Sequence, residues 1–264
     1  MTKAQIDEVI DAFAQAARRC RDGGLDGVDI HASSGYLIHE FLSPALNQRD
    51  DGYGGSFDNR LRFLLEVIAA VRDAVNDPGF VVGVRLPNED FTPGGLTPSV
   101  VAEIAARVDP LVDYISLHMG SYWRFHTLIA PADDPLGVEM ASNAPIKRRV
   151  TKPLIVVGRI NTVDHAEAII RAGEAEMVSM VRALLADPEL ARINAHAFQQ
   201  VVNQLHQAQS AALDVADHLF TLARAHDLHL VVEQFDGGHL RRKGRAELVG
   251  DVGEHGITGT AHGL

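Results

Sequence analysis

Five short apolar segments alternate with longer amphipathic patterns along the first 190 residues of the chain. The apolar segments span 27–31, 80–84, 114–117, 153–157 and 176–180. Helical spacing of apolar residues fills the intervals, and one further amphipathic helix, capped by Thr2, precedes the first segment. Strands that alternate with helices form a parallel sheet, wound as an open sheet or as a barrel. The chain is therefore predicted to be an α/β protein with five strand–helix units.

Polar residues stand at the ends of four predicted strands. His31 and Arg85 end the first two strands, Gly158-Arg159 follows the fourth, and Arg182 follows the fifth. The carboxyl ends of parallel strands carry the active site of a barrel or the ligand crevice of an open sheet. The layout therefore indicates an enzyme. No strand is followed by a G-x-G-x-x-G fingerprint, which disfavours a dinucleotide-binding open sheet.

Composition excludes several other classes of protein. The 264 residues include 24 Lys and Arg against 35 Asp and Glu, and this net charge of −11 disfavours non-specific nucleic-acid binding. The longest apolar run, 64–71, is interrupted by Glu66 and is far shorter than the roughly 20 residues of a membrane-spanning helix. No apolar signal core opens the chain, so we expect a cytoplasmic protein. Cys20, the single cysteine, lies on a helical apolar stripe, so we expect a core residue and no disulfide or cysteine-ligated metal.

The last 70 residues differ from the rest, since they hold 8 of the 13 histidines. We therefore divide the chain into a region 1–194 and an atypical tail 195–264, which is predicted to be helical at first and then disordered. One strand is predicted at 228–235. His226, His229 and Glu233 have a spacing that suits metal ligands on a helix, but the same window is strand-like, and no metal site is predicted.

A set of motifs carries a family resemblance. The motifs are D-G-V-D-I-H at 26–31, G-Y-L-I-H-E-F-L-S-P at 35–44, N-Q-R-D-D-G-Y-G-G-S-F-D-N-R-L-R-F at 47–63, V-R-L at 84–86, G-G-L-T at 94–97, V-G-R-I at 157–160 and R-A-L-L-A-D-P at 182–188. Together they resemble the old yellow enzyme family of NADH:flavin oxidoreductases. The branch of 2,4-dienoyl-CoA reductase and trimethylamine dehydrogenase is the most similar in pattern. The resemblance covers residues 1–190.

The resemblance implies an eight-stranded β/α barrel that binds FMN, takes hydride from NAD(P)H and passes it to an activated alkene, a small-molecule substrate. Family members carry roughly three more strand–helix units before the helix that opens this chain. The five units therefore predict a partial barrel, its C-terminal part, with exposed sheet edges that favour aggregation or a homodimer. The reductase branch carries a cysteine cluster for an iron–sulfur centre after its Asp-Pro motif, and this chain has no such cluster.

Three residues match the substrate side of the family's site. Tyr36 matches the proton donor, which protonates Cα while the flavin delivers hydride to Cβ. His31 and Ser34 match the pair that binds the substrate carbonyl oxygen, although the family usually has His or Asn where Ser34 stands. The structural alternatives are a half-buried tyrosine under a loop and a strand-end histidine satisfied by the backbone.

Five residues match the cofactor side of the site. Arg85 matches the arginine near flavin N1 and O2, where negative charge gathers on reduction. Gly158, Arg159, Val181 and Arg182 match the cradle of the FMN phosphate. Val181 stands where the family usually has glycine or alanine. The alternative is that these arginines form salt bridges or lie on a solvated rim.

The long loop after the third strand is rich in aromatic residues, namely Tyr122, Trp123 and Phe125, with His126 beside them. It resembles the family's variable region over the substrate, and packing of the loop itself is the alternative.

Two other functions stay open. One is a catalytically silent, truncated barrel that associates with another chain. The other is a phosphate-binding lyase or isomerase without flavin, which the tyrosine motif and Arg85 disfavour. Flavin absorbance of the purified protein distinguishes the first function from both alternatives.

Overall fold

The computed structural model of this protein describes residues 1–190. The tail predicted for 195–264, the strand at 228–235 and the metal interpretation of His226, His229 and Glu233 lie outside the described residues.

A parallel sheet of five strands organises the described part of the chain. Each strand pairs with the strand that follows it in sequence, so the order of the sheet is the order of the chain. The strands are β1 (Gly27–His31), β2 (Val81–Pro87), β3 (Tyr114–His118), β4 (Leu154–Val156) and β5 (Met177–Val178). The predicted α/β class with five strand–helix units is confirmed.

Helices connect the strands and precede the first of them. They are α1 (Lys3–Asp22), α2 (Leu37–Leu42), α3 (Phe57–Val75), α4 (Pro98–Val108), α5 (Phe125–Leu128), α6 (Met140–Lys147), α7 (Val163–Arg171) and α8 (Val181–Ala186). Two short 3₁₀ turns occupy Asp109–Leu111 and Tyr122–Arg124. The side chains of Thr2, Ser56, Thr97 and Thr162 cap helices by accepting hydrogen bonds from backbone N–H groups.

Some elements differ from the sequence prediction. Strand β2 continues to Pro87, beyond its predicted end at Arg85. Helix α6 contains Pro145 in its interior, a position where proline is unusual. Helix α2 was not predicted, since it is short and has no side-chain cap.

The two faces of the sheet serve different purposes. Alternate residues on one face belong to the main core that packs under the helices, namely Ile30, Val82, Val84, Leu86, Ile115, Leu117, Leu154, Val156 and Val178. The opposite face carries the remaining residues of each strand. On that face Val81, Tyr114 and Ile155 form a smaller apolar cluster. The polar residues Asp29, Arg85 and Ser116 lie on the same face, so this second face can carry a site.

Position 83 must be glycine, because the ring of Tyr114 on the neighbouring strand occupies the space of a side chain there. A Cβ atom at position 83 would overlap that ring, which is itself buried. We expect Gly83→Ala to lower the free energy of unfolding by about 1–3 kcal/mol, because overpacking forces side chains off their preferred rotamers. Urea denaturation measures the loss. Gly52→Ala is the matched control, because a Cβ there meets only Arg62 Nε, at an ordinary contact distance of 4.0 Å. An equal loss in both variants would contradict the argument.

Within residues 1–190, every helix is too short or too polar to cross a lipid bilayer. Cys20 is half-buried and packs against the main core, as the helical stripe predicted.

Candidate active site

A polar row crosses the second face of the sheet near the carboxyl ends of its strands. His31, Arg85 and Ser116 are paired in register across β1, β2 and β3. The Arg85 Nε donates to Ser116 Oγ at 3.4 Å and lies 3.5 Å from Asp29 Oδ2. Ser116 Oγ in turn donates to Asp29 Oδ2 at 3.2 Å. The guanidinium group is thus held on the sheet by a carboxylate and a hydroxyl.

Asp29 is a half-buried carboxyl group beneath this row. Burial raises its pKa, and the charge of Arg85 and the hydrogen bond from Ser116 offset part of that rise. Burial and the neighbouring Asp29 together raise the pKa of Tyr114 well above its usual value. The Asp29 Oδ1 is buried without a hydrogen-bond partner among the described residues. One carboxyl oxygen of Asp29, on the sheet below the site, therefore accepts no hydrogen bond within the described residues.

His31 is a neutral imidazole at the end of β1. Burial is the main reason that its pKa falls to about 4, and the charge of Arg85 lowers it further. Ser33 Oγ lies 3.2 Å from His31 Nδ1. If the Ser33 hydroxyl donates to Nδ1, the ring carries its proton on Nε2, which is then a hydrogen-bond donor.

Tyr36 lies over His31, with the two ring centroids 4.8 Å apart. The Tyr36 side chain is 45% exposed, and its hydroxyl lies 2.5 Å from the hydroxyl of Tyr122. That hydrogen bond raises the pKa of Tyr36, so the phenol is protonated at neutral pH. Ser34 is buried, has a positive φ of 64°, and places its Oγ 3.3 Å from Ser33 Oγ. The structure thus brings Tyr36, His31 and Ser34 together at the end of β1.

The predicted phosphate residues form a second group, after β4 and β5. The Arg159 Nη1 donates to the carbonyl of Ala132 at 2.5 Å and also to that of Asp134. The Arg182 Nη1 donates to the carbonyl of Ala130 at 2.8 Å. Both guanidinium groups therefore converge on the segment 130–134 of the loop after β3, and Val181 is the partly exposed first residue of α8.

Gly158 and Glu139 pack against each other behind this second group. Gly158 has a φ of 122°, and a Cβ there would lie 2.5 Å from Glu139 Cγ. Glu139 Oε2 accepts hydrogen bonds from Met119 N at 2.8 Å and from Asn88 Nδ2 at 3.1 Å. Burial raises the pKa of Glu139 to about 8, and these two hydrogen bonds oppose the rise. The carboxyl group therefore links the ends of three strands.

Several residues of this site were not predicted from the sequence. They are Asp29, Ser33, Ser116 and Glu139, and the contact of Tyr122 with Tyr36 was not predicted either. A signal for two of them exists in the strands, because Asp29 and Ser116 are polar residues at alternate positions between apolar ones. Among residues 1–190, no three His, Cys, Asp or Glu side chains gather as a metal site would require.

A parallel β/α sheet with its polar residues at the carboxyl ends of the strands is the arrangement found in proteins of the β/α-barrel type. The sequence profile of the NADH:flavin oxidoreductase / NADH oxidase family matches residues 1–200. The chain belongs to this family.

Two relatives illustrate how far the similarity extends. A metal reductase from Desulforamulus reducens is 40% identical over 193 residues, which cover 72% of this chain and 28% of that protein. An NADPH dehydrogenase from Geobacillus sp. (strain WCH70) is 40% identical over 189 residues, which cover 71% of this chain and 53% of the relative. The chain therefore spans about half, or less, of the length of these relatives.

Solved structures show the same partial correspondence. A 2-naphthoyl-CoA reductase complex matches with a TM-score of 0.69 at 32% identity, over 74% of this chain and 30% of the other. Morphinone reductase in complex with tetrahydroNAD matches with a TM-score of 0.58 at 27% identity, over 73% of this chain and 49% of the other. These neighbours are barrel-type flavoenzymes, and the five strand–helix units correspond to part of such a barrel, as predicted.

Proposed function

We propose that this chain supplies the phosphate-binding and proton-donating part of an FMN-dependent oxidoreductase, which takes hydride from NAD(P)H and reduces an activated alkene. The observation that carries this proposal is the cluster at the end of β1, where the ring of Tyr36 contacts neutral His31 beside the fixed charge of Arg85. Family membership supports a flavin as the cofactor, and the cluster at the end of β1 supports an activated alkene as the substrate.

The donor groups of the chain fit an FMN phosphate. Arg159 and Arg182 both donate to oxygen atoms within the short segment 130–134, so one acceptor group of several oxygens can engage both guanidinium groups. A phosphate dianion has that chemistry. Its binding would replace the carbonyl groups of Ala130 and Ala132 as acceptors. We infer that Gly158 and Val181 contribute backbone N–H groups at the same place.

The residues at the end of β1 fit the reduction of an alkene conjugated to a carbonyl group. Bound FMN supplies reversible two-electron hydride chemistry. His31 donates its Nε2–H to the carbonyl oxygen of the substrate, with Ser34 as the second proposed donor, and this polarises the alkene. Tyr36 would give its proton to Cα, and together with the hydride that bound FMN would supply to Cβ, this proton completes the reduction of the alkene. Arg85 stabilises negative charge beside the cofactor.

Binding of FMN against riboflavin tests the phosphate site. We expect Arg182→Ala to weaken FMN binding by about 1.5–3 kcal/mol, the scale of a hydrogen bond to a charged group. Riboflavin lacks the phosphate, so its affinity should hardly change. Fluorescence titration of each flavin measures both constants. Arg171→Ala is the control, because that exposed arginine pairs with Glu167 on α7. Equal losses for both flavins would make Arg182 structural.

A second candidate function is association with another chain. Strands β1 and β5 are the edge strands of the sheet in the described part of the chain, and unpaired edges favour pairing. Absorbance in the flavin bands, measured together with the mass of the purified protein, distinguishes the two functions. A yellow protein that oxidises NAD(P)H with an activated alkene supports the enzyme, whereas a colourless oligomer supports association.

A further inference from the structure

The loop after β3 is fastened to the loop after β1 by its backbone. Ser34 and Ser121 form an isolated parallel bridge, and Tyr122 N donates to the carbonyl of Ser34 at 3.1 Å. Ser34 adopts a positive φ of 64° at this bridge, and Ser121 is fully buried. A main-chain link of this kind fixes the direction in which the next side chain, Tyr122, leaves the loop.

The link brings two tyrosine hydroxyls together at the edge of the site. The hydroxyls of Tyr36 and Tyr122 lie 2.5 Å apart, and their rings meet edge to face with centroids 5.2 Å apart. The ring of Tyr122 also stacks on Phe125 at 6.2 Å. The contact of Tyr36 with His31 and that of Tyr122 with Phe125 therefore keep the two hydroxyls within hydrogen-bond distance of each other.

We propose that Tyr122 is a positioning residue. Its hydroxyl holds the hydroxyl of Tyr36 in place beside His31, and the two tyrosine hydroxyls share a proton. This inference rests on the proposed role of Tyr36 as proton donor. When the Tyr36 O–H bond breaks, the proton goes to the substrate carbon and the electron pair stays on the Tyr36 oxygen. Tyr122 then donates its proton to that oxygen, and a water molecule reprotonates Tyr122 and leaves as hydroxide. Each turnover therefore takes one proton from the solvent, besides the hydride.

Among residues 1–190, the rings that contact the pair are those of His31 and Phe125, and neither carries a fixed charge. Besides Tyr122, the titratable group in ring contact with Tyr36 is His31. The pKa of His31 is about 4, so this ring is neutral at the alkaline pH where tyrosines ionise. Trp123 and Phe125 on the Tyr122 side carry no charge. The hydrogen bond with Tyr122 raises the pKa of Tyr36. Two hydroxyls that share one proton titrate as a coupled pair, so the second proton leaves at a higher pH than the first.

Titration of the tyrosines in the full chain tests the pair. The chain has 4 tyrosines, and their ionisation is followed by absorbance at alkaline pH while circular dichroism confirms that the fold persists. We expect the wild-type pair to titrate in two steps separated by more than about one pH unit. In Tyr122→Phe, Tyr36 should titrate in one step near the ordinary value of about 10. Tyr36→Phe should also abolish the two-step titration, which keeps the test available if one variant fails to fold.

Trp123, the single tryptophan, offers a second readout beside the pair. A tyrosinate absorbs where tryptophan emits, so ionisation of the pair should quench Trp123 fluorescence in two steps in the wild type and in one step in either variant. Tyr53→Phe is the control, because that hydroxyl donates to Glu66 instead, and it should leave both steps in place. A single wild-type step, unchanged in Tyr122→Phe, would overturn the proposal.

The reaction itself provides the last measurement. In the FMN-loaded protein, we expect Tyr122→Phe to slow reoxidation by an alkene about tenfold and to shift the alkaline limb of its pH profile. A two-step titration with an unchanged rate and profile would overturn the positioning role. A protein that binds no flavin would overturn the proposed function alone, because the titration still decides whether the two tyrosines share a proton.

Discussion

Replacing Tyr36 with phenylalanine is expected to slow reoxidation of the FMN-loaded protein by an activated alkene about 10²–10⁴-fold, the usual contribution of a positioned acid. The variant keeps the ring that lies 4.8 Å from His31 and loses the hydroxyl alone. Reduction of the flavin by NAD(P)H takes no proton from Tyr36, so its rate should stay nearly the same. Stopped-flow absorbance in the flavin bands measures the two half-reactions separately.

Tyr53→Phe is the matched control for this substitution. It removes a tyrosine hydroxyl that donates to Glu66 at 2.8 Å, in the loop before α3. Both half-reactions should be unaffected in this variant. Unchanged reoxidation in Tyr36→Phe would remove Tyr36 from the mechanism. Equal slowing of both half-reactions would instead indicate damage to the flavin site.

The elements of the fold were predictable because their signals are local. Thr2 caps its helix where the sequence predicts, because a cap needs one side chain and a backbone N–H three residues away. The strands are short apolar segments between helical patterns, so their number and order were also predictable. Helix α2 was not, since no local cap marks it.

The contacts inside the site depend on residues that are far apart in the sequence. Tyr36 and Tyr122 are separated by 86 positions, and Arg182 reaches a carbonyl 52 positions away. Motif resemblance identified Tyr36 and Arg182 as candidates, but it could not show which groups face them. Glu139 stands between Val138 and Met140, with no local pattern that marks it as buried, and its burial follows only when this segment packs against Gly158.

Glu139 is the buried carboxyl group with the clearest consequence for stability. It is 4% exposed and accepts hydrogen bonds from Met119 N, at the start of the loop after β3, and from Asn88, after β2. Gly158 packs against its side chain after β4. Because burial disfavours the charged form, the pKa of Glu139 rises to about 8 in the folded protein.

The raised pKa makes the free energy of unfolding depend on pH. In the unfolded chain the carboxyl group has its ordinary pKa of 4.5. Below that pH both states hold the proton, and the stabilising contribution is complete. Between pH 4.5 and about 8 the unfolded chain ionises while the folded protein keeps its proton, so the free energy of unfolding falls as the pH rises. The total fall is at most about 5 kcal/mol, and it ends once the pH passes the folded pKa.

Glu139→Gln should abolish this dependence, because an amide stays neutral at every pH and keeps an acceptor oxygen for Met119 N–H. Subtracting the wild-type free energy of unfolding from that of the variant cancels the other titrating groups. We expect this difference to be near zero at about pH 5 and to grow to several kcal/mol in favour of the variant at about pH 8. Urea denaturation across this range measures it. Glu176→Gln should show the opposite sign, since it breaks the ion pair with Lys147. A difference for Glu139→Gln that stays constant with pH would show that the folded protein already holds Glu139 ionised.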